Sequence, residues 1–259
     1  MRNGRHAPLM RAYAEQVVSL IGRIEAEEAG AVEEAAALIA GHLTRHGTDR
    51  LIYVYGPGGH SNLAAQEVFF RAGGLVNVSA ILDEGTLLSG GALRSMAMER
   101  TPGYGRVVIE DNRLGAGDLL ILVNAYGINA ALIDAALTAR ERGVTVIGVS
   151  SREHAERTEP GHPARHPTKR NLHDLVDVHI DTKVPVGDAV LEIEGVPERV
   201  GAISTFANAY ALNAVMAAAI ADLAERGTVP EIWRSGNAPD GDERNGLFLD
   251  RFRGRVRWL

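Results

Sequence analysis

LIYVYGPGGHSNLAAQEVFF, residues 51–70, is the stretch on which the fold turns. Leu51 to Tyr55 is a short apolar and aromatic run that reads as a strand. The glycine-rich GPGGHS at 56–61 ends it. From Asn62 the pattern becomes helical and is expected to run to Ala72, closed by Gly73–Gly74. The same order of strand, turn and helix recurs downstream. Val76–Leu82 reads as a second strand. DLLILVN, 118–124, is nearly all apolar, as a parallel strand covered on both faces should be. After NAYGIN come a helix, Ala130–Arg142, stopped by Gly143, and a strand, Val144–Ser150. Val176–Asp181 is the expected fifth strand. The crossovers are long enough for parallel pairing, so the pattern predicts an α/β protein with a doubly wound parallel sheet.

Around this core the sequence predicts an N-terminal helical arm over 8–46. Tyr13, Val17, Leu20, Ile21 and Ile24 recur at helical spacing, followed by Val32, Ala35, Ala36, Ile39 and Leu43. Gly30 is expected to bend or divide this arm. A long alanine-rich helix, Thr205–Arg226, is apolar all round and expected to be buried. Residues 152–170 are rich in charge, Pro and His and read as a long surface loop. No linker divides the 259 residues, so one domain is expected, with an α/β core over 49–226 and an irregular tail over 227–259. The last residues, RFRGRVRWL, alternate Arg with apolar side chains. They predict an extended segment whose Phe252, Val256 and Trp258 dock on the body or on a partner subunit, with a dimer as the smallest assembly.

Bulk composition narrows the function. Apolar residues make up 46% and charged residues 23%, an ordinary globular mixture. A net charge of −6 argues against nucleic acid or an anionic membrane as the main partner. With no cysteine, disulfides, thiol nucleophiles and zinc–thiolate sites are excluded together. No apolar run reaches the roughly 18 residues of a membrane span, and no apolar signal core precedes the first helix, so a cytoplasmic location is expected.

In open parallel sheets, ligands bind at the carboxyl ends of the strands. GPGGHS, DEGTLLSGGALRS (83–95) and NAYGINA (124–130) are expected there. Gly56, Gly58 and Gly59 allow close backbone approach, and His60 and Ser61 lead into a helix whose free N–H groups suit a polar oxygen. The turn is neither a dinucleotide fingerprint nor a Walker loop, so no nucleotide cofactor is expected. Glu67 lies two turns beyond His60 on the same helical face and is a candidate base; a solvated, salt-bridged glutamate is the alternative. Asp83 and Glu84 close the second strand, where Glu84 is either an acid/base group or a turn residue. Asp188 and Glu192, in the alternating VGDAVLEIEG, are expected to be structural. His154, His162, His166 and His173 crowd one loop but match no metal-ligand spacing, so no metal is expected. His60 is the histidine expected to act.

YVYGPGGHSNLAAQEVFFRAGG, ILDEGTLL, PVGDAVLEIEGVP, Ser204–Thr205 at the start of the last long helix and GNAPDGDERN together resemble bacterial SIS (sugar isomerase) domain proteins of the UPF0309 type. These are similar to phosphoheptose isomerase and other phosphosugar-binding SIS proteins. The resemblance covers nearly the whole chain. It implies five parallel strands with helices on both faces, dimeric assembly, and a sugar site at the strand ends shared between subunits. By position it points to Gly58, His60, Ser61, Glu67, Glu84, Ser204 and Thr205. One segment departs from the pattern. Where phosphosugar SIS domains carry an S-x-S-G turn, this chain has Asn124-Ala125-Tyr126-Gly127, with Asn129 beyond.

The expected activity is therefore aldose–ketose isomerisation of a sugar or sugar derivative, without phosphate at that end. Glu67 or Glu84 is the expected base and His60 the partner at the oxygen. Gly58, Gly59, Ser61, Asn124, Tyr126, Asn129, Ser204 and Thr205 are expected to bind substrate. The competing expectation is a sugar-binding sensor or accessory protein that does no chemistry.

Overall fold

The structure, a computed structural model, describes residues 6–47 and 49–259. The reading of the first five residues as leaderless lies outside the described residues. Five parallel strands form the central sheet: β1 (Ile52–Tyr55), β2 (Val78–Ile81), β3 (Leu119–Val123), β4 (Thr145–Ser150) and β5 (Val178–Asp181). Their order is β2-β1-β3-β4-β5. Ile52 pairs with Val78 on one side and Leu119 on the other, which brings all the carboxyl ends to one edge. The order reverses between β1 and β3, and a crevice opens where a doubly wound sheet makes such a switch. Every residue of LLILV in β3 is buried, as its unbroken apolar run requires.

The helices in chain order are α1 (Ala7–His46), α2 (Ser61–Val68), α3 (Ala92–Glu99), α4 (Tyr104–Asp111), α5 (Ala130–Glu141), α6 (Arg152–Arg157), α7 (Ser204–Glu225) and α8 (Gly241–Phe252). One core joins α1, α2 and α7 to one face of the sheet through Ile39, Leu43, Val54, Ile121, Leu212 and Met216. A second joins α4 and α5 to the other face through Ile109, Leu120, Leu122, Leu132 and Val146. A short antiparallel hairpin, β6 (Ala189–Leu191) and β7 (Val200–Ala202), leads into α7.

Several expectations are corrected. Gly30 does not divide the arm: α1 is one helix of 40 residues. A mid-helix glycine costs only about 1 kcal/mol, and Gly30 sits on the exposed side. α2 stops at Val68 rather than Ala72. Phe69 is extended and Phe70 takes a left-handed φ of 48°. Gly73, Gly74 and Val76 then bond to the backbone of Glu231 and Trp233, so the tail draws the chain off the helical path. α7 is buried along one side only, and Phe206 and Asn213 stay exposed. Among the described residues α7 is the one helix long and apolar enough to cross a membrane; here its buried side contributes to the core with α1 and α2.

The expected surface loop at 152–170 holds α6 and is anchored by histidine. His166 is buried and meets Asp134 of α5 at 3.0 Å and Thr168 at 2.7 Å. The tail is not irregular, because α8 forms within it. Nor is RFRGRVRWL extended: Arg251 and Phe252 close α8, and Val256 N–H returns to the Phe252 carbonyl. Phe252 and Val256 are buried with Leu51, Val76 and Trp233, while Trp258 packs against the second core. The apolar side chains thus dock on the body of the same chain.

Candidate active site

A cleft of about 190 Å³ lies at the β1/β3 switch. Its walls come from the glycine turn after β1, the turn after β3, the end of α3, and the hairpin–α7 junction. The sequence separates these four segments widely; the parallel sheet and its crossovers bring them together.

The glycine turn sits under the cleft because its backbone has no alternative. Gly58 has φ +107°, and a Cβ there would meet the Glu99 carboxylate at 2.5 Å. Only glycine lets that carboxylate approach the turn. Among the described residues, the N–H groups of Gly59, His60 and Ser61 have no protein acceptor. The last two are free first-turn donors of α2, at its positive end, and Gly59 precedes them in the turn. Asn62 fixes the turn from below, donating to the Gly58 carbonyl at 3.0 Å and the Thr86 carbonyl at 3.2 Å.

The turn after β3 is closed on itself. The Asn124 side chain accepts from the N–H groups of Tyr126 and Gly127, both at 3.0 Å, and donates to the Pro57 carbonyl at 3.0 Å and Ser61 Oγ at 3.2 Å. Asn124 therefore ties the two turns together. The expectation that its amide serves the ligand is corrected, because those donors are spent inside the protein. Tyr126 stacks on His154 of α6, ring centroids 3.6 Å apart, to make an aromatic wall. Burial holds the His154 ring neutral, its pKa pushed down to about 4.

Glu99, the last residue of α3, is the acid of the cleft. One carboxylate oxygen accepts from the Asn129 side chain at the start of α5. Burial, outweighing the nearby Arg100 charge, raises its pKa from 4.5 to about 7. Asp188 is the second acid. Its left-handed backbone, φ +66°, turns the carboxylate onto the start of α7. There it accepts from Ile203 N–H at 2.9 Å, Ser204 N–H at 2.7 Å and the Ser204 hydroxyl at 2.8 Å. Burial comes first in raising the Tyr126 phenol above its usual value, and the charges of Asp188 and Glu99 add to it.

Of the expected site residues, Gly58, Gly59, His60, Ser61, Asn124, Tyr126, Ser204 and Thr205 all border the cleft. Asn129 stands behind it and holds Glu99. Glu67 is elsewhere. It lies two turns along α2 from His60, half-buried beside α7, where it pairs with Arg71 at 3.4 Å and accepts from the Asn213 side chain at 3.5 Å. Glu84 is exposed too, bordering a separate cavity of about 410 Å³ with Asp83 and Tyr104. β2 is an edge strand one place removed from the switch, so its end does not reach the cleft. Asp83 binds Thr86 and the Tyr104 hydroxyl and closes that turn. Asp188, expected to be only structural, both caps α7 and borders the cleft.

Glu99 was not expected at all. It is the only acid on α3, in ALRSMAME, and nothing local marks it as functional. Among the described residues, no three His, Asp or Glu side chains converge as metal ligands would.

A family described as the SIS domain matches residues 12–151. A UPF0309 protein of Halalkalibacterium halodurans is 34% identical over 97% of this chain and 97% of its own. Among solved structures, phosphoheptose isomerase from Neisseria gonorrhoeae superposes with a TM-score of 0.57 at 15% identity, over 83% of this chain and 98% of that one. A phosphoheptose isomerase from Francisella tularensis gives 0.51 at 13% identity, over 85% and 97%. At such identities the superpositions establish the fold.

Proposed function

The chain belongs to the SIS-domain family, in the UPF0309 group, and from that premise we propose that it isomerises a sugar or sugar derivative with Glu99 as the base. The supporting observation is a partly buried carboxyl, poised near neutral pH, set against a glycine turn with free N–H donors. Aldose–ketose exchange moves a proton between the two carbons of an α-hydroxy carbonyl. In the proposed step, the Glu99 carboxylate takes the proton from the hydroxyl-bearing carbon. The C–H electron pair becomes the C=C bond of an enediolate, and the carbonyl electron pair passes to its oxygen. The N–H groups of residues 59–61 stabilise that oxyanion, as preorganised backbone donors do elsewhere. His60, at the mouth, serves the proton that moves between the two oxygens. Glu99 then returns its proton to the neighbouring carbon. The conversion is redox-neutral within one molecule and consumes no cofactor.

A pKa near 7 suits a base working at neutral pH. Asn129 orients the carboxyl, and Gly58 leaves room for it. The proposal places the protein in the cytoplasm, acting as a homodimer on a small sugar. The test is carbon-bound proton exchange in heavy water over a panel of aldoses and ketoses. Glu99→Gln should lower exchange on the order of 10²–10⁴-fold. Glu67→Gln and Glu84→Gln should leave it near wild type. Full exchange in Glu99→Gln would refute the mechanism. The filled donors of the Asn124 turn favour a second reading, a sensor that binds without chemistry. Saturable sugar binding with no exchange would establish it.

A further inference from the structure

We propose that Asp188 makes this cleft select unphosphorylated sugars, because its carboxylate occupies the anion position at the start of α7 that a phosphate ester would otherwise take. The inference rests on the cleft being the sugar site proposed above, and names its substrate class.

A phosphate needs convergent donors and positive charge. This cleft has two backbone positions where donors converge beyond the glycine turn, and the protein has filled both with its own oxygens. At the start of α7, Asp188 takes the N–H groups of Ile203 and Ser204 and the Ser204 hydroxyl. That is the geometry of an anion at a helix N-terminus, supplied in cis. In the turn after β3, the Asn124 side-chain oxygen takes the N–H groups of Tyr126 and Gly127. The Ser61 hydroxyl oxygen accepts from the Asn124 amide, which fixes its position and leaves its O–H as a single neutral donor.

Charge reinforces the geometry. Among the described residues bordering the cleft, none is Lys or Arg, while Glu99 and Asp188 are both acids. Lys183, on the far side of the hairpin, is bound to Glu28 at 2.6 Å and Asp181 at 3.1 Å. A dianion in the cleft would therefore face two carboxylates with no cation to offset them. Beyond the N–H groups of residues 59–61, which the carbonyl oxygen requires, it would find only the neutral hydroxyls of Ser61, Tyr126 and Thr205. A neutral sugar finds the reverse. Its hydroxyls are donors, and the cleft offers carboxylate oxygens to accept them.

Calorimetry on wild type, Asp188→Gly and Asp188→Asn decides the matter. The probes are inorganic phosphate and the matched pairs glucose with glucose 6-phosphate and fructose with fructose 6-phosphate. Glycine accepts φ +66° without strain and clears the cradle. Asparagine removes the charge, keeps an acceptor for the helix N–H groups, and so guards against loss of fold. Wild type should bind each free sugar at least as tightly as its ester. Asp188→Gly should bind inorganic phosphate at least tenfold more tightly than wild type, and Asp188→Asn, which removes the charge but still fills the position, should gain by a smaller factor. A wild-type preference of more than tenfold for either ester, or unchanged phosphate affinity in both folded variants, would overturn the inference. Free-sugar binding without proton exchange would sink the isomerase mechanism and leave this inference standing.

Discussion

Glu99 is a carboxyl that the native state holds at an energetic cost. Near pH 4 it is protonated in folded and unfolded chains alike, and its position costs nothing. Between 4.5 and about 7 the unfolded chain releases the proton while the folded chain keeps it. Stability contributed by the neutral carboxyl is thus complete below 4.5 and lost as pH rises through about 7. The full loss is on the order of 3 kcal/mol. Glu99→Gln should therefore match wild type in urea unfolding near pH 4 and exceed it at pH 8 by up to that amount. A variant less stable than wild type at pH 8 would show that Asn129 and the turn stabilise the charged form. The sequence concealed this residue for a physical reason. A helical glutamate acquires a perturbed pKa only from what surrounds it, and here Gly58 and Asn129 arrive from other elements. Gly58, His60, Ser61 and Tyr126 were legible because strand–turn–helix junctions at the carboxyl edge announce themselves locally. Glu67 misled because a shared helical face does not mean a shared site: two turns on from the cleft it meets Arg71, and Asn213 of α7, instead.

Among the elements, the strands and helices read from apolar periodicity, α2 apart, were found within about two residues, the usual fraying of such boundaries. β3 was the plainest, because burial on both faces leaves no polar residue to confuse the period. α2 and the tail were misread for one shared reason: the backbone of residues 73–76 pairs with 231–233, a contact no local pattern encodes. Glycine makes the same point at helix scale. Gly30 lies on exposed α1 with nothing within 4 Å of an added Cβ. Gly105 of α4 is buried, and its added Cβ would overlap the Ala131 carbonyl oxygen of α5. The two identical substitutions should thus diverge. Gly30→Ala should stabilise by about 0.5–1 kcal/mol through helix propensity. Gly105→Ala should destabilise by about 1–3 kcal/mol, since two backbones must part. Thermal midpoints of the pair, read side by side, check both signs.

On the scale of the whole molecule, the exposed apolar surface is unevenly spread. α1 extends for about 60 Å, and its first three turns are mostly exposed, with Met10 at 73% and Val18 at 69%. Tyr13 on this stretch donates to the Ala202 carbonyl and meets Phe206 edge-on at 6.1 Å, which sets the start of α1 beside the mouth of the cleft. Phe206 is itself 46% exposed, two residues past Ser204, and Leu63 on α2 is 43% exposed, two residues past Ser61. Scattered apolar residues are normal on a protein surface, whereas those that flank a cleft are where a partner surface would sit. A homodimer formed across these residues would dry the cleft mouth and bring a second subunit to the site. Such an interface should bury at least about 1,000 Å² in all. Sedimentation at micromolar concentration should give a dimer or larger assembly for wild type. Met10→Glu combined with Phe206→Glu should shift the protein to monomer without unfolding it, since both side chains are largely outside the core. Proton exchange on the cognate sugar should fall together with dimer content, and rise again as protein concentration restores the dimer. A wild-type monomer at these concentrations, or a monomeric variant with undiminished exchange, would show that one chain carries the complete site.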